Sequence, residues 1–118
     1  MSAVTTHVLD TARGRPAAGM RVTLAVCADA VVCADAAWTP LGAGVTDDDG
    51  RLGDLVAEGT LRAGVHRMTF HTGEWFAAEQ ADSFYPEVSV VFEVRDPGGH
   101  YHVPLLVSPF GYSTYRGS

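Results

Sequence analysis

Hydrophobic and polar residues alternate along most of this chain, a pattern typical of β-strands that bury one face. The alternation is clearest over 20–26, where the apolar residues would share one face while Arg21 and Thr23 lie on the other. A single short helix is predicted from Glu74 to Ala81. Comparable alternation predicts about eight short strands in all, among them 4–9, 37–46, 64–71, 88–94, 100–107 and a tail strand that continues from Gly111 to the last residue.

Turn signals separate the predicted strands at regular intervals. Asp49-Gly50 suits a tight turn because Gly tolerates a positive φ, and 97–99 and 108–111 contain further Pro-Gly signals. Short strands at this spacing, with one short helix, are typical of an all-β fold in which two sheets form a β-sandwich. No linker or internal repeat interrupts the pattern, so residues 1–118 are predicted to form a single domain.

Composition narrows the classes of function. Of 118 residues 47% are hydrophobic, enough for one core, and the net charge of −6 is spread without long runs apart from Asp47-Asp48-Asp49. An acidic surface of this kind disfavours nucleic acid and anionic membranes as partners. The sequence contains no run of about 18 apolar residues, so no membrane-spanning helix is predicted. The first residues lack the basic and apolar regions of a signal peptide, so a cytoplasmic protein is expected.

The chain has two cysteines, Cys27 and Cys33, which are too few for a disulfide scaffold. We expect two reduced thiols with no catalytic role. A local bridge across residues 28–32 is the alternative, which spacing alone does not decide.

The segment from His100 to Val107 has two unlike faces. Its odd-numbered residues are apolar or aromatic and suit a core, whereas the other face carries His100, His102, Pro104 and Leu106. That second face is too apolar for ordinary surface and too polar for a core, which indicates a subunit interface or a pocket wall. His7 and Leu9 give the first strand a face of the same mixed character.

Other candidate residues have a structural explanation as well as a functional one. Arg51 directly follows a turn, where a solvated charge is common, and capping of a sheet edge is the structural explanation for Tyr115 and Arg116. His66 and His71 are expected to be structural or surface residues rather than catalytic ones. The sequence contains no Gly-rich phosphate-binding loop, no Ser nucleophile motif and no obvious pair of acid/base carboxylates.

Several motifs together resemble a known family, the transthyretin-related 5-hydroxyisourate hydrolases of purine catabolism. The likeness covers nearly the whole chain and is weakest over 27–37. The motifs are Thr5-Thr6-His7-Val8-Leu9-Asp10-Thr11, Gly14-Arg15-Pro16-Ala17-Ala18-Gly19, Asp49-Gly50-Arg51-Leu52, the segment 100–118 and, most specific, the ending Tyr115-Arg116-Gly117-Ser118.

The resemblance implies a transthyretin-like β-sandwich that assembles as a homotetramer, a dimer of dimers, with active sites in a channel between dimers. It implies hydrolysis of 5-hydroxyisourate to 2-oxo-4-hydroxy-4-carboxy-5-ureidoimidazoline in urate degradation, with no cofactor and no metal. The catalytic residues it implies are His7, Arg51, His102 and Ser118. Tyr115 and Arg116 would join His7, Arg51 and His102 in binding the substrate.

The chemistry of these side chains fits the implied reaction. A His with a pKa near ~6.5 can take a proton from water at neutral pH, and which of His7 and His102 does so stays open. Arg51 offers a permanent charge and a planar donor fork for urate-like oxygens. Ser118 would hold the imidazoles or the substrate in place.

Two other functions are alternatives. A transthyretin-type protein would bind a small ligand in the same channel without chemistry, although Tyr115 would narrow that channel. A zinc hydrolase would use His100 and His102, two apart on one face, with His7 as a third ligand.

Overall fold

The computed structural model describes residues 3–27 and 37–118. Its one described helix, α1, spans Thr72–Ala78. The described strands are β1 Val4–Asp10, β2 Arg15–Pro16, β3 Arg21–Cys27, β4 Trp38–Val45, β5 Arg51–Leu52, β6 Gly64–Phe70, β7 Val88–Val94, β8 Tyr101–His102, β9 Leu105–Ser108 and β10 Gly111–Thr114.

These strands form two sheets. One is antiparallel throughout, in the order β4-β3-β6-β7. The other has the order β10-β9-β1-β2, and the short strands β5 and β8 also pair with β1. β1 lies parallel to β8 and β9, so this strand from the start of the chain sits among strands from its end. The all-β sandwich predicted from the alternation is therefore confirmed.

The core lies between the two sheets and follows the predicted faces. On β3 the residues Val22 and Leu24 are buried while Arg21 is exposed, as the alternation over 20–26 predicts. On β1 every second residue from Val4 to Asp10 is buried. Residues 5, 7 and 9 are therefore left half-buried on the outer face of their sheet. That outer face holds the candidate site.

The structure differs from the predicted elements in several details. The segment 100–107 is two short strands rather than one, interrupted at Val103 and Pro104, because Pro has no N–H to donate to a ladder. The helix begins two residues earlier than predicted and ends at Ala78. The tail strand ends at Thr114. The described strands number ten because β2 and β5, at two residues each, are too short to produce an alternation signal.

The prediction of reduced thiols is wrong for Cys27, which is disulfide-bonded at the end of β3. Spacing in sequence carries no information on whether two thiols meet, which is why the pattern did not reveal this bond. Cys33 lies outside the described residues. None of the described helices is long and apolar enough to cross a membrane.

Candidate active site

β1 places its outward side chains between two neighbouring strands that each bring a candidate residue. In the antiparallel ladder with β5, His7 lies opposite Arg51. In the parallel ladder with β8, Thr5 is the partner of His102. Paired residues project to the same face of a sheet, with Cβ atoms roughly 5 Å apart in antiparallel pairs. Residues far apart in sequence thus meet on one outer surface.

The turn before β5 fixes the position of Arg51. The Asp47 carboxylate accepts hydrogen bonds from the N–H groups of Asp49 and Arg51, each at 2.9 Å. Gly50 adopts a positive φ of 77°, and a Cβ at this position would lie 2.3 Å from the main-chain oxygen of Val8. Only glycine therefore fits between this turn and β1, and the tight fit holds the Arg51 backbone beside His7.

His7 is held through one ring nitrogen. Its Nε2 lies 2.8 Å from the main-chain oxygen of Asp49. A carbonyl oxygen only accepts hydrogen bonds, so Nε2 carries the hydrogen. In the neutral ring, Nδ1 is then the nitrogen with a free lone pair.

His102 is half-buried, and its Nδ1 lies 2.8 Å from the Thr5 hydroxyl. Burial lowers the pKa of His102 below its usual 6.5, and the charges of Arg51, His100 and His7 lower the pKa further. A hydrogen bond to the main chain of Thr5 acts in the opposite direction. The net result favours the neutral imidazole, the form that can accept a proton at physiological pH.

A groove of about 260 Å³ opens on this face. Of the predicted site residues, Arg51, His102 and Ser118 line the groove. His7 does not line the groove itself but lies in register with Arg51. The remaining lining residues are Thr5, Thr6, Leu52, Gly53 and His100.

The tail reaches the groove by packing on His102. The N–H of Gly117 donates to the main-chain oxygen of His102 at 2.9 Å, which forms an isolated antiparallel bridge. The guanidinium of Arg116 lies 4.8 Å from the centre of the Tyr101 ring, a cation–π contact. These two contacts bring Ser118 into the groove.

Tyr115 and Arg116 line a different cavity, of about 250 Å³, at the border between the two sheets. Its walls are mostly apolar and include Phe92 and Tyr101. His102 borders both this cavity and the groove. Tyr115 lines this cavity and not the groove, so within the single chain it does not join Arg51.

Five residues that line the groove were not among the predicted site residues: Thr5, Thr6, Leu52, Gly53 and His100. The resemblance assigns the site histidine to His102 and not to His100 on the same face, and Thr5 appears only within a family motif because threonine is ordinary in a strand. The signal for Thr5 was its position two residues before His7, which places both on one face.

The zinc alternative requires three ligands close together in the part of the chain that the structure describes. Within residues 3–27 and 37–118, no three His, Cys, Asp or Glu side chains lie close enough together to hold a metal ion. His66 and His71 belong to the other side of the molecule. His66 is fully buried on β6, and His71 lies next to α1 with Nδ1 3.3 Å from the Arg21 guanidinium.

Two sheets in this order, with β1 among the last strands, define a transthyretin-like β-sandwich. A TM-score of 0.85 relates the chain to sea bream transthyretin in complex with thyroxine, at 32% identity over 98% of this chain and 94% of that one. Residues 4–117 match the model of the HIUase/Transthyretin family, and the chain belongs to that family.

Similar proteins include enzymes by name. The chain is 48% identical over 120 residues to 5-hydroxyisourate hydrolase of Deinococcus radiodurans, which covers 98% of this chain and 95% of that protein. It also resembles the solved structure of Klebsiella pneumoniae 5-hydroxyisourate hydrolase, with a TM-score of 0.83, 34% identity and full coverage of both chains. The same fold occurs in a transthyretin that binds thyroxine and in a 5-hydroxyisourate hydrolase. The fold alone therefore does not distinguish a hydrolase from a binding protein, and the distinction rests on the site residues.

Proposed function

We propose that this protein hydrolyses 5-hydroxyisourate, using the groove on the outer face of β1 as its active site. The observation that carries the proposal is a half-buried His102 with a lowered pKa beside Arg51 in that groove. A neutral imidazole and a fixed cation are what water activation and binding of a planar, oxygen-rich ring require. The 5-hydroxyisourate hydrolase relative at 48% identity supports the same substrate.

In the proposed reaction, water adds to the carbonyl carbon of an amide in the six-membered ring. A histidine takes one proton from the water as the new C–O bond forms. The C–N bond then breaks, the same histidine passes this proton to the departing ring nitrogen, and the ring opens to 2-oxo-4-hydroxy-4-carboxy-5-ureidoimidazoline. We assign the first proton transfer to His102, because its pKa is lowered and it lines the groove.

Arg51 binds the substrate and stabilises the negative charge that develops on the carbonyl oxygen. Its guanidinium stays charged at any working pH, and its donor fork can contact two oxygens at once. His7, held through Nε2 by Asp49, accepts a hydrogen bond from the attacking water at Nδ1 and so orients it. Ser118 closes one end of the groove and contacts the substrate.

Tyr115 and Arg116 complete the substrate site from the tail, and we propose that they do so in a homotetramer, a dimer of dimers. Two sheet-edge strands, β7 and β10, are available for pairing between copies. Large apolar side chains on and near them are exposed, including Val91 at 58% and Phe110 at 70%. Exposed apolar groups beside an open strand edge are typical of a subunit interface.

The proposal includes a cytoplasmic location. The disulfide at Cys27 would be unusual there, because cytosolic thiols are usually reduced.

The decisive experiment uses 5-hydroxyisourate generated freshly from urate and follows its loss by ultraviolet absorbance. We expect the protein to accelerate this loss well above spontaneous decay. His7→Gln and His102→Gln should each lower kcat by roughly 10²–10⁴-fold, the usual effect of removing an acid/base group. His71→Gln, at the N-terminus of α1 and outside the groove, is the matched control and should keep wild-type kcat.

Decay no faster than the spontaneous rate at micromolar protein would overturn the enzymatic function. If the protein in that case binds thyroxine tightly, the transthyretin-type alternative is favoured. The likeness to the thyroxine complex of sea bream transthyretin is the observation that supports this alternative.

A further inference from the structure

Thr5 contacts His102 at the ring nitrogen that faces away from the tail. The Thr5 hydroxyl lies 2.8 Å from His102 Nδ1 and 3.4 Å from His100 Nε2, so one hydroxyl is shared by two imidazoles. The parallel pairing of Thr5 with His102 fixes this distance through the backbone. Nδ1 of His102 is therefore engaged, whichever group donates the hydrogen, and Nε2 is the nitrogen available for chemistry.

Gly117 contacts the same ring at another edge. A Cβ built on Gly117 would lie 2.4 Å from Cδ2 of His102 and 3.2 Å from Cγ. Real Cβ atoms do not approach so closely, so the bare glycine backbone is what allows the tail to lie against the imidazole. Cδ2 is bonded to Nε2, so this contact sets the direction in which Nε2 points.

We propose that Thr5 and Gly117 are positioning residues that hold the His102 imidazole between them and present Nε2 to the substrate. Neither residue needs to touch the reacting atoms. This inference rests on the proposed function and deepens it, because it assigns a task to Thr5 and gives the glycine of the tail a role distinct from that of Ser118. A general base displaced by a fraction of an ångström or turned about its ring axis loses rate while substrate binding stays intact.

The first test replaces the hydroxyl while keeping the shape. Thr5→Val keeps a β-branched side chain, which suits a strand. It also keeps the Thr5 methyl group, which packs near Gly53: a Cβ built on Gly53 would lie 3.7 Å from it. We expect kcat to fall about fivefold to tenfold, the value of one hydrogen bond, with KM nearly unchanged. Thr5→Ser, which restores the hydroxyl, should recover most of the lost kcat. Thr23→Val, at a half-buried position on the other sheet, is the matched control.

The second test observes the imidazole directly and needs no substrate. In protein labelled with ¹⁵N-histidine, the ring nitrogen shifts of His102 should show a hydrogen bond at Nδ1, and Thr5→Val should abolish that signature. Gly117→Ala should displace the His102 ring signals and lower kcat, because the added Cβ must push the ring. Gly111→Ala is the control, since its Cβ would make only an ordinary 3.7 Å contact with Ser108.

Unchanged His102 signals and wild-type kcat in both Thr5→Val and Gly117→Ala would overturn the inference. A wild-type protein without activity would overturn the proposed function instead, while the nitrogen shifts would still show whether Thr5 and Gly117 fix the ring. A low kcat in Thr5→Val that Thr5→Ser does not recover would also contradict a role for the hydroxyl. Circular dichroism spectra of all variants establish that each is folded.

Discussion

His102 and His7 illustrate how neighbouring residues give two histidines different properties. His102 is surrounded by Arg51, His100 and His7, and both burial and these neighbours lower its pKa. His7 is anchored by a main-chain carbonyl, which fixes its hydrogen at Nε2. Burial and nearby charges thus lower the proton affinity of His102, whereas the Asp49 carbonyl fixes the tautomer of His7. These properties suit the two rings to different roles in one hydrolysis.

The dependence of His102 on its neighbours can be tested at His100. His100→Gln removes a positive charge that lowers the pKa of His102, so this pKa should rise. The acid limb of the kcat/KM profile should therefore move to higher pH, while the rate at pH 8 should change little. An acid limb at its wild-type position would show that His100 does not act on the catalytic proton transfer.

At the scale of single strands, β6 carries a histidine with a different task. His66 is fully buried, and its Nδ1 donates to the main-chain oxygen of Gly64 at 3.0 Å. Its ring stacks on Phe92 of β7, with centroids 5.7 Å apart. Burial lowers the pKa of His66, because the charged form would lose its hydration inside the sandwich.

This burial links stability to pH. The unfolded chain binds a proton at His66 near pH ~6.5, whereas the folded chain resists it, so the free energy of unfolding should fall as the pH drops below that value. His66→Phe keeps the stacking and removes the titration, and its free energy of unfolding should depend less on pH between about 7.5 and 5. Urea unfolding at several pH values measures this, with His71→Gln as the control. Equal slopes in wild type and His66→Phe would assign the dependence to other groups.

Much of the fold was predictable because alternation depends only on which face of a strand is buried. It placed Val22 and Leu24 in the core and His7 and His102 outside it, as observed. It could not reveal the parallel pairing of β1 with β8, because pairing partners leave no mark on either strand's own pattern. The contact of Thr5 with His102 depends on that pairing and is visible only in the structure. The interruption at Pro104 has a cause that the sequence does contain, because Pro has no N–H to donate to a ladder.

For the whole molecule, the tail is the segment whose removal tests the proposed site. Deleting residues 115–118 removes the contacts of Arg116 with Tyr101 and of Gly117 with His102. Of the deleted side chains only Tyr115 is large and apolar, and it is 60% exposed, so little buried apolar surface is lost. The truncated protein should stay folded and keep the oligomeric state of the full chain, with a slightly lower Tm, while kcat collapses.

Light scattering, thermal unfolding and the hydrolysis assay on the truncated protein test this separation. Unfolding or dissociation would show that the tail is structural. Full activity would show that the tail has no part in catalysis.

The position of β1 between late strands also has a consequence for the order of events during synthesis. Thr5 and His102 are 97 residues apart, so the two meet only after almost the whole chain has been made. At ~5–20 residues per second, the first strand waits roughly 5 to 20 seconds for its parallel neighbours. During that time Val4 and Val8 lack their pairing partners on β8 and β9. The interval in which the nascent chain is most exposed to aggregation is therefore set by the same topology that builds the groove.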